Sequence, residues 1–214
     1  NISGVSLISR ERLLQELKKL ILSKKFIKIE KDEFLKEILL LIFPQLKNLN
    51  KINNLNEFSK KIFCNKDFVF LISFMIIDGT DNTDYFLYKF NLSNESKNKI
   101  NFLKDIFFKP MTSNTFSEKN LWKIFYYHGK KNLEDMINFQ IFKSKKIDKK
   151  LIDFLKTFNL EQKPIFPIKA KKMIKEYNLK ENKNLGQKLK EIENFWVNNN
   201  FKISEKEIEK IVKN

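Results

Sequence analysis

Ser9-Arg10-Glu11-Arg12-Leu13-Leu14-Gln15-Glu16-Leu17-Lys18-Lys19-Leu20-Ile21 places Leu13, Leu14, Leu17, Leu20 and Ile21 on one apolar stripe at helical spacing. The Ser9 hydroxyl can accept a hydrogen bond from an orphan amide of the first turn, and Glu11 puts negative charge at the positive helix end. The same period recurs outward along the chain. Residues 32–43 carry Phe34, Leu35, Ile38, Leu39 and Ile42 on one face and stop at Pro44. A short helix is expected around 58–63. Residues 67–77 are apolar nearly all round, which fits a buried central helix or a strand. Further helices are expected from Ser93 or Asn94 through Ile100, Leu103, Phe107 and Phe108 to Pro110, over 117–128 with Gly129 as the C′ residue, over 132–143 and over 149–158. Lys163-Pro164-Ile165-Phe166-Pro167 is the sharpest boundary, with Pro167 suited to a helix N1 position. A tail of three helices follows. Gly186 opens the middle one, whose apolar positions are Leu189, Ile192, Phe195 and Trp196, while Ser204-x-x-Glu207 forms a capping box with Ile203 stapled to Ile208. The expected fold is all-α.

Composition supports this. The 214 residues are 42% hydrophobic, too apolar for a disordered chain, and the 4 Gly and 4 Pro are too few for the frequent turns of sandwiches, barrels or propellers. No apolar run reaches the roughly 18 residues of a membrane span. One cysteine, Cys64, excludes a disulfide framework and a thiolate zinc site. A soluble, cytoplasmic protein with no membrane partner is the expectation. The chain starts at Asn1 with apolar Ile2, Val5, Leu7 and Ile8, and reads as a segment of a longer polypeptide.

The formal net charge of +16 suggests a polyanionic partner, most simply nucleic acid. Forty of the 42 basic residues are lysine, which an AT-rich coding bias also produces, so position matters more than total. Residues 1–140 carry a net +7 and residues 141–214 a net +9, so the carboxyl-terminal third is the better phosphate-facing surface. Most of the 22 Phe fall on apolar helical faces and read as core.

Catalytic chemistry is not visible in this stretch. His128 is the only histidine, and its place beside Gly129 fits a helix C-terminus. Glu134 and Asp135 are adjacent and diverge by about 100° on a helix. The three aspartates of Asp78-Gly79-Thr80-Asp81-Asn82-Thr83-Asp84 lack the spacing and terminal Glu of a helix–loop–helix calcium site, so the stretch reads as a plain loop. There is no Gly-rich phosphate loop and no Asp-x-Asp pair.

Taken together, four ordered stretches resemble a known family. Ile8-Ser9-Arg10-Glu11-Arg12-Leu13, followed by Glu16-Leu17, resembles the neck motif of class II tRNA nucleotidyltransferases, the CCA-adding enzymes and bacterial poly(A) polymerases. Pro164-Ile165-Phe166-Pro167-Ile168 resembles the stretch before that family's tail helices, and Leu185-Gly186-Gln187-Lys188-Leu189 with Glu193, Trp196 and Phe201 resembles its closing pattern. Asn91-Leu92-Ser93-Asn94 is similar to an element of its body.

The resemblance implies neck helices over 1–45, a helical body over 46–163 and a basic helical tail over 164–214. It implies that Ser9 caps the neck helix while Glu11 and Arg12 brace a nucleotide pocket. Mg²⁺ would be held by a catalytic head outside this segment, which alone would be inactive. The implied partners are a tRNA or other RNA 3′ end, with ATP and CTP for the complete enzyme. Lys169, Lys171, Lys172 and Lys175 cluster within two helical turns, and the last three can share a face. With Lys188 and Lys190 they are the expected RNA-binding residues. The alternatives are poly(A) addition by the same family and a stand-alone helical RNA-binding or interaction module.

Overall fold

The computed structural model describes residue 4 and residues 7–108, 114–144 and 148–213, with Glu30 in its backbone alone. Among these residues every regular element is helical, as expected. In chain order they are α1 (Arg10–Ile21), α2 (Glu33–Ile42), α3 (Glu57–Phe63), α4 (Phe68–Ile76), α5 (Asn82–Lys89), α6 (Asn94–Phe108), α7 (Glu118–Lys143), α8 (Lys149–Leu160), α9 (Ala170–Tyr177), α10 (Lys183–Asn198) and α11 (Glu205–Lys213). Two 3-10 segments, Phe26–Lys31 and Leu49–Asn54, join the early helices. No helix among the described residues is long and apolar enough to cross a membrane. The expected stop at Pro110 lies outside the described residues.

Helix starts follow side-chain chemistry at short range. Ser9 Oγ accepts the Arg12 amide at 3.3 Å, and Asp32, Asn56 and Asp67 each accept the amide three residues ahead at 2.9 Å. Asn182 accepts the amides of Asn184 and Leu185 and so starts α10. The capping box of α11 closes through its acid. The Ser204 amide and hydroxyl both donate to Glu207 Oε2, at 2.7 and 2.8 Å, and hold that carboxyl below its ordinary value.

Contact density divides the chain into two units. One is Asn1–Met111 with Lys131–Asn159, and the other is Thr112–Lys130 with Leu160–Asn214. The arm of α7 before Gly129 groups with the tail helices. Gly129 interrupts α7 at φ 79° and ψ 171°, a region open essentially to glycine alone. It ends the first arm where the sequence placed a helix stop, with a ψ outside the usual left-handed cap.

The core of the first unit is α4, on which every residue but Val69 is buried. Phe70 and Phe74 meet Phe139 and Phe142 edge-on at 5.4–6.3 Å between ring centres. A helix end this deep cannot reach water, so its last carbonyls need protein donors. Asn48 Nδ2 donates to Ile77 O at 2.6 Å and to Phe74 O at 3.2 Å, and Asn82 Nδ2 donates to Ile76 O at 2.8 Å. This corrects the reading of 78–84 as a loop. Only 78–81 is loop, and α5, absent from the sequence reading, begins at Asn82 because Asn82 and Thr83 are buried beneath the end of α4. Phe34 also departs from expectation. It is 74% exposed, off the face that buries Leu39.

In the second unit α9, α10 and α11 close around Ile168, Met173, Leu185, Ile192 and Ile208, with Tyr177 and Ile203 packed against them. Helix α9 starts at Ala170 with Lys169 at its N-cap, not at Pro167. The Pro167 segment has no regular structure and delivers the buried Ile168 into the core before the helix begins. Asn178 ends α9 in the left-handed conformation (φ 52°, ψ 30°), which asparagine tolerates better than most residues.

Candidate nucleic-acid interface

Helix α9 carries no acidic residue in its first turn and three lysines around it, Lys169, Lys171 and Lys172. Cations there add to the positive helix end instead of offsetting it. The six lysines singled out from sequence then separate into two groups.

Lys172 and Lys188 are committed within the tail. Lys172 Nζ lies 2.5 Å from Glu205 Oε1 and 3.6 Å from Glu176, and the Glu205 hydrogen bond holds its ammonium above the ordinary lysine value. Tyr177 donates to the other Glu205 oxygen at 2.7 Å, with burial first and that carboxylate second pushing the phenol up to about 12. Lys188 is 14% exposed in its side chain, donates to Ile211 O at 3.0 Å and pairs with Glu191 at 3.2 Å. Both tie α11 to its neighbours.

Lys169, Lys171, Lys175 and Lys190 are exposed, and no ion pair among the described residues engages them. Lys171 and Lys175 are four apart and share a face of α9. Lys172 points its charge at α11 instead, so the three-lysine face expected from spacing holds two free cations. Ser9 caps α1 as expected, while Glu11 and Arg12 are exposed and form no ion pair among the described residues.

Two constellations escaped the sequence reading. The first is a charge network inside the first unit. Asp135, 2% exposed on the second arm of α7, pairs with Lys66 and Lys99, each at 2.7 Å, and Lys99 also meets Asp67 at 2.8 Å. Burial pulls the Lys99 ammonium down, but its bonds to Asp135 and Asp67 outweigh that and hold it above the ordinary value. Asp67 likewise sits below its ordinary value. Burial opposes ionisation there, and Lys99, the Phe70 amide and Lys131 more than compensate. These partners lie up to 69 residues apart, beyond any spacing rule.

The second is aromatic and lies in the second unit. Phe201 meets Trp196 at 4.9 Å, Tyr126 at 5.7 Å and Trp122 at 6.2 Å, all edge-on. Tyr126 donates to Glu193, and burial together with that carboxylate raises its phenol far above the ordinary value. The end of α10 builds this corner. The Phe201 amide donates to Trp196 O at 2.8 Å with Asn200 left-handed, the 6→1 bond of a Schellman cap. The Asn198-Asn199-Asn200 run was the available signal for such a cap, and nothing in it announced the ring contacts.

Among the described residues no three His, Cys, Asp or Glu side chains converge as a metal site. No family model matches this sequence, and no curated protein matches it.

Proposed function

We propose that this chain is an RNA-holding helical region, with its basic tail as the phosphate-facing surface. In the terms of the family it resembles, it would be the neck, body and tail of a CCA-adding tRNA nucleotidyltransferase. Nucleotide addition from CTP and ATP with Mg²⁺ would then be the work of a head that this segment does not contain. The observation that carries the reading is the division of the tail lysines. Structural ion pairs take up Lys172 and Lys188, and Lys169, Lys171, Lys175 and Lys190 stay exposed without carboxylate partners among the described residues. A-form RNA offers little base-edge readout, so phosphates and duplex shape would dominate.

A salt titration of tRNA binding tests this. If four lysines each neutralise one phosphate, log K falls with log salt at a slope between about −2.8 and −3.6, which is an affinity loss of about 50- to 150-fold from 50 to 200 mM. With Lys171→Ala and Lys175→Ala combined, two contacts remain and the loss shrinks to about 7- to 12-fold. Absent or salt-insensitive binding would remove the proposal. Incorporation of CTP by the complete polypeptide separates CCA addition from poly(A) addition.

A further inference from the structure

Beside the Schellman corner of α10 lies an open cleft of about 540 Å³, lined by Glu118, Lys119, Trp122, Pro164, Asn200 and Phe201. Its volume is within the roughly 300–1,000 Å³ of small-ligand clefts. Three of the six residues carry rings, and Trp122, Pro164 and Phe201 are all half-buried in the cleft wall. Trp196, by contrast, is 4% exposed and belongs wholly to the core.

The backbone at this corner is held more tightly than the cap requires. A Schellman motif needs one left-handed residue, and Asn200 supplies it at φ 53°. Phe201 is left-handed as well, at φ 60°, an outlier for a bulky side chain. Its contacts with Trp196, Tyr126 and Trp122 hold it there and bring it against Trp122 at the cleft wall.

We propose that this cleft is a stacking site for one unpaired nucleobase of bound RNA. The inference rests on the RNA-holding reading and adds a second, chemically different contact to it. Charge favours this occupant. The unit containing the cleft carries sixteen lysines against nine acidic residues, with Lys119 in the wall and Lys202 next to Phe201. A phosphate chain passing the rim meets cations while a base lies on a ring, the usual construction of single-strand sites. Glu118, an acceptor-only carboxylate in the wall, can take a hydrogen bond from the exocyclic amine of adenine, cytosine or guanine, which uracil lacks.

The two tryptophans make the test direct, since Trp196 is buried and Trp122 lines the cleft. Single-stranded oligoadenylate, oligocytidylate and oligouridylate of about eight nucleotides are titrated while tryptophan emission is followed. Oligoadenylate and oligocytidylate are expected to quench emission and to bind more tightly than oligouridylate. Trp122→Leu should weaken oligoadenylate binding about tenfold, with circular dichroism confirming the helical fold. Glu118→Gln, on the exposed rim, should narrow the preference over oligouridylate without altering the fold. Equal, salt-dependent binding of all three oligonucleotides, unchanged by either variant, would overturn the cleft and leave the lysine surface standing. Quenching by a proline-rich peptide and not by oligonucleotides would overturn it too. No RNA binding of any kind would remove the cleft and the RNA-holding reading together.

Discussion

Replacing Asp135 by Asn should be the most damaging single polar change in the first unit. The side chain is 3% exposed and balances Lys66 and Lys99, whose side chains are 15% and 11% exposed. Asparagine keeps the volume and removes the charge, so both ammonium groups stay desolvated with less to offset them. Lys66 would lose its ion pair and keep its approach to the Phe70 ring, 5.1 Å from the centre, while Lys99 would keep its ion pair with Asp67. Removing one partner of a buried ion pair costs about 3–5 kcal/mol. Because Lys99 retains a partner, the lower end applies, about 3 kcal/mol. With a urea slope of about 2–3 kcal/mol per M, the unfolding midpoint should fall by about 1–1.5 M. A second arm isolates the cause. Asp135→Leu with Lys66→Met removes the charge together with one of its partners, and should recover a substantial part of the loss, since apolar replacement of buried pairs is often neutral. A midpoint shift below about 0.3 M for Asp135→Asn, or a double variant as unstable as the single one, would show that the network is not desolvated as described.

Other consequences follow from the same geometry. Asp67 has a lowered value, so its stabilisation is complete above the ordinary 3.8 and disappears as pH falls through its folded value. Lys99 has a raised value, so its share is complete below the ordinary 10.5 and disappears as pH rises through its folded value. Thermal melts across pH should therefore show a plateau between these limits, and Asp67→Asn should flatten the acid limb. Gly129→Ala should destabilise by about 1–3 kcal/mol in urea unfolding, although a Cβ there meets nothing within 4 Å, because the cost lies in the backbone. Asn48→Ala strips the donors from two buried carbonyls at the end of α4 and should cost about 2 kcal/mol by the same measurement. Lys172→Ala should change the salt slope of RNA binding far less than Lys171→Ala, since its charge faces Glu205.

The sequence by itself determined the elements that depend on neighbours within one or two turns. Ser9, Asp67 and Ser204 each start a helix through partners three residues away, the apolar continuity of 67–77 announced a buried helix or strand, and Gly129 announced a break. Helix α5 was hidden because its first turn is polar, and what drives it inward is the need of α4 for donors at a buried end. Long-range charge pairing and ring contact were decided by the tertiary structure. Spacing sets Lys172, four before Glu176, apart from Lys171, four before Lys175, but the carboxylate nearest to Lys172 is Glu205, 33 residues later, which no spacing rule brings there, and Lys171 is left to solvent. Trp122 and Phe201 share a cleft across 79 positions for the same reason. Hydrogen-bonded caps are set by local backbone geometry, whereas neutralisation and burial depend on which distant segments the packed chain brings within a few ångströms.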